Sequence, residues 1–180
     1  GEIIGMELIP EAVVEVGEAV LSCDISPDGT FAIIGSGADT TARLTRIVRE
    51  GGEIVGMEMI PETVVKAGGW VLSCKISPDG KFAIIGSGAD TTARLTRIVK
   101  DKTGEVVKME LIPETVVKAG GVVWSCDISP DGKFAIIGSD DDKTARLARI
   151  VRDAKDEIVG MEVIPGTVVK VGGEVRSCDI

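Results

Sequence analysis

The chain has 180 residues, 44% of them hydrophobic and 27% charged, a balance that indicates one soluble globular domain over residues 1–180. Its formal net charge of −9 disfavours nucleic acid and anionic membranes as partners, and no apolar run approaches the roughly 20 residues that span a bilayer. Histidine is absent, which removes the commonest general base and the usual partner of a serine or cysteine nucleophile.

One sequence is written three times along the chain and begins a fourth time. The string FAIIGSGADTTARLTRIV is identical at 31–48 and 82–99. Such self-similarity indicates an architecture in which each unit packs on its neighbours. Two residue types mark the period of about 52 residues, at Cys23, Cys74, Cys126 and Cys178 and at Pro10, Pro61, Pro113 and Pro165.

The first two strand-like runs of a unit are clearest in the second copy. VLSCKIS at 71–77 alternates, which places Leu72, Cys74 and Ile76 together on one apolar face. KFAIIGSG at 81–88 is a short apolar run closed by glycines, typical of a strand that is buried on both faces. A tight turn joins the two runs.

That turn has the sequence PDG in every unit, where proline presets φ and glycine accepts a positive φ. We assign a structural turn to each copy, at Pro27, Asp28 and Gly29, at Pro78, Asp79 and Gly80, and at Pro130, Asp131 and Gly132.

Two further runs complete the unit. TARLTRIV at 92–99 alternates and then continues as an apolar stretch, and TGEVVKMELIP at 103–113 opens with a turn and ends at proline. ETVVKAGG at 114–121 leads back to the next unit. No window shows a helical period with caps at both ends, so the sequence predicts an all-β fold.

The string VVWSCDISPDGKFAIIGSDDDKTARLARI at 122–150 resembles a WD-repeat propeller blade, in which V-x-S-x-x-F-S-P-D-G-K precedes G-S-D-D-x-T-x-R-L-W. The resemblance implies four-stranded antiparallel sheets arranged radially as blades, and a platform for protein–protein contact. The predicted units span approximately 19–69, 70–121 and 122–173, with partial-unit segments at 1–18 and 174–180.

The chain departs from the family pattern at two places in every unit. The Gly-His pair before the first strand is Gly68-Gly69 in the second copy, and the Trp-Asp pair after Arg-Leu is Thr96-Arg97. The polar tetrad that ties a WD blade together through His and Trp therefore cannot form here.

Three complete units do not close a ring, since propellers typically have four to eight blades. Each end of a three-unit array would leave an apolar sheet face in water, and such faces are assembly surfaces. We therefore predict that the chain associates with copies of itself or forms part of a longer repeat array. Two copies would supply six complete units.

No metal or cofactor site is predicted. The four in-phase cysteines lack the clustered C-x-x-C pairs of zinc sites, and we expect them to be small buried hydrophobes. The acidic loop GSDDDKT at 138–144 offers three carboxylates to a hard cation such as calcium. The two sister loops carry one aspartate each, so a solvated turn is the favoured interpretation.

Two sets of repeated arginines face opposite sides of a strand: Arg43, Arg94 and Arg146, and Arg46, Arg97 and Arg149. We expect them to pair with Asp28, Asp79 and Asp131 or with Glu7, Glu58 and Glu110, and anion binding at the ring axis is the alternative. Trp70 and Trp124 are candidate partner contacts, although filling a gap between blades would also explain them.

The sequence thus predicts a non-enzymatic repeat scaffold whose partners are itself and other proteins. Two alternatives stay open: an engineered propeller of near-identical blades with no native ligand, and a propeller that binds glycans or small ligands. An enzyme would require one unit with histidines or carboxylates that its sisters lack, and the units are nearly uniform. The compartment is undetermined, with an extracellular assembly as one option.

Overall fold

The computed structural model describes residues 7–180, so residues 1–6 of the predicted segment 1–18 lie outside it. The described chain forms fifteen strands and one 3₁₀ turn, with no α-helix among residues 7–180. The strands make three separate antiparallel sheets that follow one another along the chain. No helix within this part of the chain is long and apolar enough to cross a membrane.

The first sheet, blade 1, has four strands side by side in chain order, and a short fifth strand pairs with the beginning of the third. All neighbours are antiparallel. The strands are β1 (Val20–Ile25), β2 (Phe31–Ser36), β3 (Thr41–Glu50), β4 (Glu53–Met59) and β5 (Val65–Lys66).

Blade 2 repeats this plan, and its 3₁₀ turn at Pro113–Thr115 lies between the fourth and fifth strands. Its strands are β6 (Val71–Ile76), β7 (Phe82–Ser87), β8 (Thr92–Lys100), β9 (Val106–Leu111) and β10 (Val117–Lys118). Those of blade 3 are β11 (Val123–Ile128), β12 (Phe134–Ser139), β13 (Thr144–Arg152), β14 (Ile158–Val163) and β15 (Val169–Lys170).

The all-β fold of propeller-like blades, predicted from sequence, is confirmed. The return segment 114–121, predicted only as a link, contains β10. Its fully buried Thr115 explains why: the hydroxyl accepts the backbone N–H of Leu95 at 3.0 Å and donates to the Ile112 carbonyl at 2.6 Å. Thr115 thereby binds β8 at the point where β9 stops pairing with it.

The first strand of each blade contains a register shift that the sequence pattern did not predict. In blade 2 the shift falls between Val71 and Ser73, so the alternation is interrupted at Leu72. Val71 and Cys74 are fully buried, whereas Leu72 is only partly buried. The predicted apolar face of Leu72, Cys74 and Ile76 is therefore wrong in its first member, because an extra residue in the strand changes the side on which the earlier side chains lie.

The core lies between the blades. We call the side of a blade that faces the preceding blade its back face and the other side its front face. Phe31, Ile33 and Leu44 on the front of blade 1 share a buried cluster with the back of blade 2. An equivalent cluster between blades 2 and 3 includes Phe82 and Leu95. The molecule is thus held together by two seams that have the same construction.

Candidate interaction surfaces

Each seam contains the same hydrogen bond between first strands. The Ser22 hydroxyl accepts the backbone N–H of Cys74 at 2.9 Å, and Ser73 accepts that of Cys126 at 3.0 Å. A third bond of this kind joins Ser125 to the N–H of Cys178 at 3.0 Å. The three bonds show that residues 174–180 occupy the place that the first strand of a further blade would take.

Segment 174–180 nevertheless forms no strand, unlike the first strands of the three blades. It carries an acidic pair into its contact with blade 3, where the Asp127 carboxylate accepts the backbone N–H of Ile180 at 3.1 Å. Burial and a hydrogen bond with Asp179 raise the pKa of Asp127. The segment therefore fills only part of this site, and its contact with blade 3 brings two carboxylates, Asp127 and Asp179, together.

Ion pairs close the outer rim of each seam. Arg46 of blade 1 contacts Glu105 of blade 2 at 3.0 Å, and Arg97 of blade 2 contacts Glu157 of blade 3 at 2.9 Å. The third member of the series, Arg149, makes no ion pair among the described residues. The expected pairing of these arginines with Glu110 is confirmed for Arg97 alone, at 3.6 Å.

A second set of charges lies beside the SPDG turns. Lys100 of blade 2 contacts Asp28 of blade 1 at 3.2 Å and lies 5.2 Å from the centre of the Phe31 ring. Arg152 of blade 3 makes the equivalent contacts with Asp79 at 3.9 Å and with the Phe82 ring at 5.5 Å. The turn aspartates thus bind the following blade, not the arginines to which the sequence assigned them.

The turns themselves form as predicted, with a positive φ at Gly29, Gly80 and Gly132. The Asp28 carboxylate accepts hydrogen bonds at 2.7 Å from the hydroxyls of Ser26 and Thr30. Partial burial raises the pKa of Asp28, but these hydrogen bonds outweigh it and hold the pKa below its ordinary value. The turn is therefore braced by a charged carboxylate at neutral pH.

The arginines of the inner set have a different role from the predicted one. Arg146 pairs with Asp142 of its own blade, which also accepts the hydroxyls of Ser139 at 2.6 Å and Thr144 at 2.9 Å. Burial raises the pKa of Asp142, yet the hydrogen bonds from Arg146 and Ser139 outweigh it and lower the pKa to about 2. Equivalent Arg–Asp pairs occur at Arg43 with Asp39 and at Arg94 with Asp90.

This Ser–Asp–Thr–Arg cluster ties the loop between the second and third strands to the sheet without the missing His and Trp. It also requires the glycine at Gly68, where a methyl group would lie 2.0 Å from an Asp90 carboxylate oxygen. Spacing alone could have indicated the Arg–Asp pair, because the two residues stand four apart in every unit.

Both ends of the array expose the side chains that the seams bury. On the back of blade 1, Val20 is 51% and Ile25 is 62% exposed, whereas their counterparts Val71 and Ile76 are 0% and 7% exposed. On the front of blade 3, Val169 is 57% exposed and its counterpart Val117 is 6% exposed. The back of blade 1 and the front of blade 3 are therefore equivalent to the two surfaces that pack together in an internal seam.

The cysteines follow this difference. Cys74 and Cys126 are buried in seams, as expected, and burial raises the pKa of the Cys74 thiol to about 12. Cys23 is exposed because it lies on the back face of blade 1, so the prediction of burial is wrong there. Cys178, within segment 174–180, is partly buried against blade 3. No cluster of potential metal ligands occurs within residues 7–180.

The two tryptophans lie on either side of one groove between blades 2 and 3. Trp70 is 59% exposed, and the Trp124 indole N–H donates to Asp140 at 2.7 Å. The Arg176 guanidinium of segment 174–180 lies 5.0 Å from the centre of the Trp124 ring. The groove has a volume of about 300 Å³ and is lined by Trp70, Leu72, Gly88, Ala89, Val122 and Trp124.

The acidic loop at 138–144 is occupied by these internal contacts. Asp140 accepts the tryptophan N–H, and Asp142 is engaged by Arg146. Two of the three carboxylates that the sequence offered to a cation are therefore already bound to groups of the protein.

The sequence model of the family described as "WD domain, G-beta repeat" matches residues 14–45, 61–96 and 114–147, which together make up more than half of the chain. The chain belongs to the WD-repeat family. WD repeats are typical of protein-interaction scaffolds. No curated protein matches the chain in sequence.

Two solved structures share the fold of this WD-repeat chain. A protein from Bacteroides fragilis, provisionally named 6-phosphogluconolactonase, superimposes with a TM-score of 0.65 and 17% identity over 86% of the chain. A protein of the same provisional name from Bacteroides uniformis gives a TM-score of 0.68 and 16% identity over 90% of the chain. The alignments cover 40% and 43% of those proteins, so the chain spans about two fifths of their length.

Proposed function

We propose that this chain is a non-catalytic scaffold that associates head to tail with a second copy of itself. The front of blade 3 in each copy receives the back of blade 1 from the other. The observation that carries the proposal is that Val20, Ile25 and Val169 are exposed at the two ends, while their counterparts are buried in both internal seams. An exposed apolar face bounded by polar residues is typical of an interaction site.

The internal seams supply a template for this contact. Blade 1 places Val20 where Val71 and Val123 lie in their blades, and both of those valines are fully buried. The receiving position in blade 3 is Gly138, the counterpart of Gly86, which lies under Val123; within one copy, Val175 of segment 174–180 lies against Gly138. The back of blade 1 and the front of blade 3 are therefore complementary in shape, because they repeat the two faces that pack together in the internal seams.

Charge complementarity supports the same pairing. By the register of the internal ion pairs, Arg149 of one copy would meet Glu53 of the second copy, as Arg97 meets Glu157. Arg49 of the second copy would likewise meet Asp131, as Arg152 meets Asp79. Each such pair contributes at most about 1 kcal/mol, so the charges fix the register of docking more than its strength.

Ring closure favours two copies. One copy provides three blades and three copies would provide nine, both outside the usual range of four to eight. Two copies provide six, and two identical head-to-tail contacts close the assembly without free faces. The resulting scaffold would present its outer surfaces to other proteins, with Trp70 and Trp124 as candidate contacts.

The experiment is sedimentation velocity on the full chain and on two variants. We expect the wild type to sediment as a species with twice the chain mass of 18.8 kDa. Val20→Asp should raise the dissociation constant about 100-fold, because a carboxylate would be buried without a partner. The matched control Val107→Asp alters another exposed valine, on β9 away from both end faces, and should stay dimeric.

A monomer at the highest soluble concentration would overturn the proposal, as would equal effects of the two variants. The absence of catalysis has its own test, suggested by the provisional name of the two similar structures. Hydrolysis of 6-phosphogluconolactone above the uncatalysed rate would contradict a purely scaffolding role.

A further inference from the structure

We propose that docking of a second copy is a strand exchange: strand β1 of the incoming copy replaces segment 174–180 of the receiving copy. The inference rests on the proposed head-to-tail association and identifies which part of the partner occupies the site. Its first support is sequence, since SCDI stands at both 22–25 and 177–180.

The contacts of the segment are those of a first strand. Val175 lies against Gly138, where a methyl group would be only 2.6 Å from the valine Cγ1. Val71 and Val123 lie against Gly35 and Gly86 at 2.5 and 2.7 Å by the same measure. Together with the bond from Cys178 to Ser125, this places the segment where β1 of another copy would dock.

The segment fills this place incompletely. It brings no second, third or fourth strand, and Val169 of the receiving blade remains exposed beside it. Strand β1 carries the identical SCDI residues together with the β2–β4 sheet, which is hydrogen-bonded to it. Exchange would therefore keep the contacts of the segment and add those of the whole blade.

Segment 174–180 of the receiving copy and strand β1 of the incoming copy cannot occupy the same site. There must therefore be a residue at which the receiving chain ends its contact with blade 3 and the incoming chain begins. Residues 165–173 of the receiving copy include β15, which is paired with β13. Their counterparts in the incoming copy, residues 10–18, form no strand, and Val13 there is 70% exposed. The receiving copy should therefore keep its chain through residue 173, and the incoming copy should continue from residue 19.

A cysteine at position 125 would report which strand is present. In the internal seams the serine oxygen lies within 3.3 Å of the next cysteine sulfur, at Ser22 with Cys74 and at Ser73 with Cys126. In Ser125→Cys, the new thiol would therefore face Cys178 of its own segment or Cys23 of the second copy. The full-length variant is oxidised with copper–phenanthroline, and tryptic peptides are identified by mass.

We expect an intermolecular disulfide between positions 125 and 23, visible as a covalent dimer on a non-reducing gel. Cys23→Ser in the same background should abolish this dimer, and Cys178→Ser should leave it unchanged. The wild type, which lacks the thiol at 125, is the control for the neighbouring Cys126.

The outcomes separate the two proposals. A chain that is dimeric by sedimentation but lacks the 125–23 disulfide, whether it links 125 to 178 or to nothing, overturns strand exchange and leaves association intact. A monomeric chain overturns the head-to-tail association itself, and strand exchange with it.

Discussion

The seam between blades 2 and 3 and the contact between blade 3 and segment 174–180 begin with the same residues and end differently. Both start with a serine hydroxyl that accepts a cysteine N–H at 3.0 Å. In the seam the strand continues into a four-stranded sheet, and Ile128 is 6% exposed. At the end of the array it does not, and the last residue, Ile180, is 40% exposed. The sequence of the first strand determines where it contacts the preceding blade, whereas the strands that follow it determine how much of that blade's surface is buried.

The largest expected effect separates a seam residue from its counterpart at an open end. Val123→Asp should destabilise the monomer by about 3–5 kcal/mol, because a carboxylate would be buried without a partner. Val20→Asp, at the equivalent position of blade 1, should leave the stability of the dissociated chain nearly unchanged. Urea unfolding at concentrations below the dissociation constant measures both. Equal losses would mean that the back of blade 1 is covered within the monomer.

The next effect concerns two glycines at equivalent places. Gly86→Ala places a methyl group 2.7 Å from Val123 Cγ1, and we expect it to cost about 1–3 kcal/mol through overpacking. Gly138→Ala meets Val175 instead, which belongs to a segment that forms no strand, so we expect its cost in the monomer to stay below about 0.5 kcal/mol. Thermal unfolding of the two variants side by side checks the difference. A Gly138→Ala loss as large as that of Gly86→Ala would contradict it.

A smaller effect is expected from the rim charges. Arg149→Glu should weaken association by about 1 kcal/mol or less, through repulsion from Glu53 of the second copy. The double variant Arg149→Glu with Glu53→Arg should restore it, because the pair is re-formed with its signs exchanged. Sedimentation equilibrium at low salt measures both constants. Failure of the second change to restore association would show that these two residues do not meet.

The smallest effect is a pH dependence of the contact between segment 174–180 and blade 3. Burial and a hydrogen bond with Asp179 raise the pKa of Asp127, whereas the same hydrogen bond lowers the pKa of the exposed Asp179, with a smaller lowering by Lys75. The raised pKa of Asp127 means that docking favours its protonated carboxyl, and the opposite shift of Asp179 keeps the net effect small. The contribution is fully present below the ordinary pKa and is lost as pH rises through the raised value.

Trp124 reports this change because Arg176 of the segment lies over its ring. In a monomeric Val20→Asp and Trp70→Phe background, Trp124 fluorescence should shift toward that of a free indole as pH rises. Asp127→Asn in that background should remove the transition. A transition that persists in the asparagine variant would assign the effect to another group.

The repeat period, the strand positions and the SPDG turns could be predicted from sequence because each depends on residues that are close together in the chain. The register shift at Leu72 could not, since a bulge is decided by the pairing of two strands and leaves the alternation of letters unchanged. Strand β10 could not be predicted either, because a strand of two residues is too short to show an alternation of apolar and polar side chains.

The candidate surfaces were predicted in outline and missed in detail. Three units in a row imply two open ends, and the exposure of Val20 and Val169 agrees with that inference. The inter-blade bonds of Ser22 and Ser73 could not be predicted, because their partners lie about 50 residues away and the twist between blades sets the distance. Cys23 was predicted to be buried because its strand pattern marks an apolar face, and that pattern is the same whether or not another blade covers the face.

In the proposed association, segment 174–180 competes with the second copy for the front of blade 3. A second copy must first displace this segment. Because a short stretch of chain links the segment to blade 3, its effective concentration at this face does not depend on the protein concentration. Head-to-tail contacts that failed to close would continue into open filaments, and a blocking strand within each copy would set a concentration below which single copies persist.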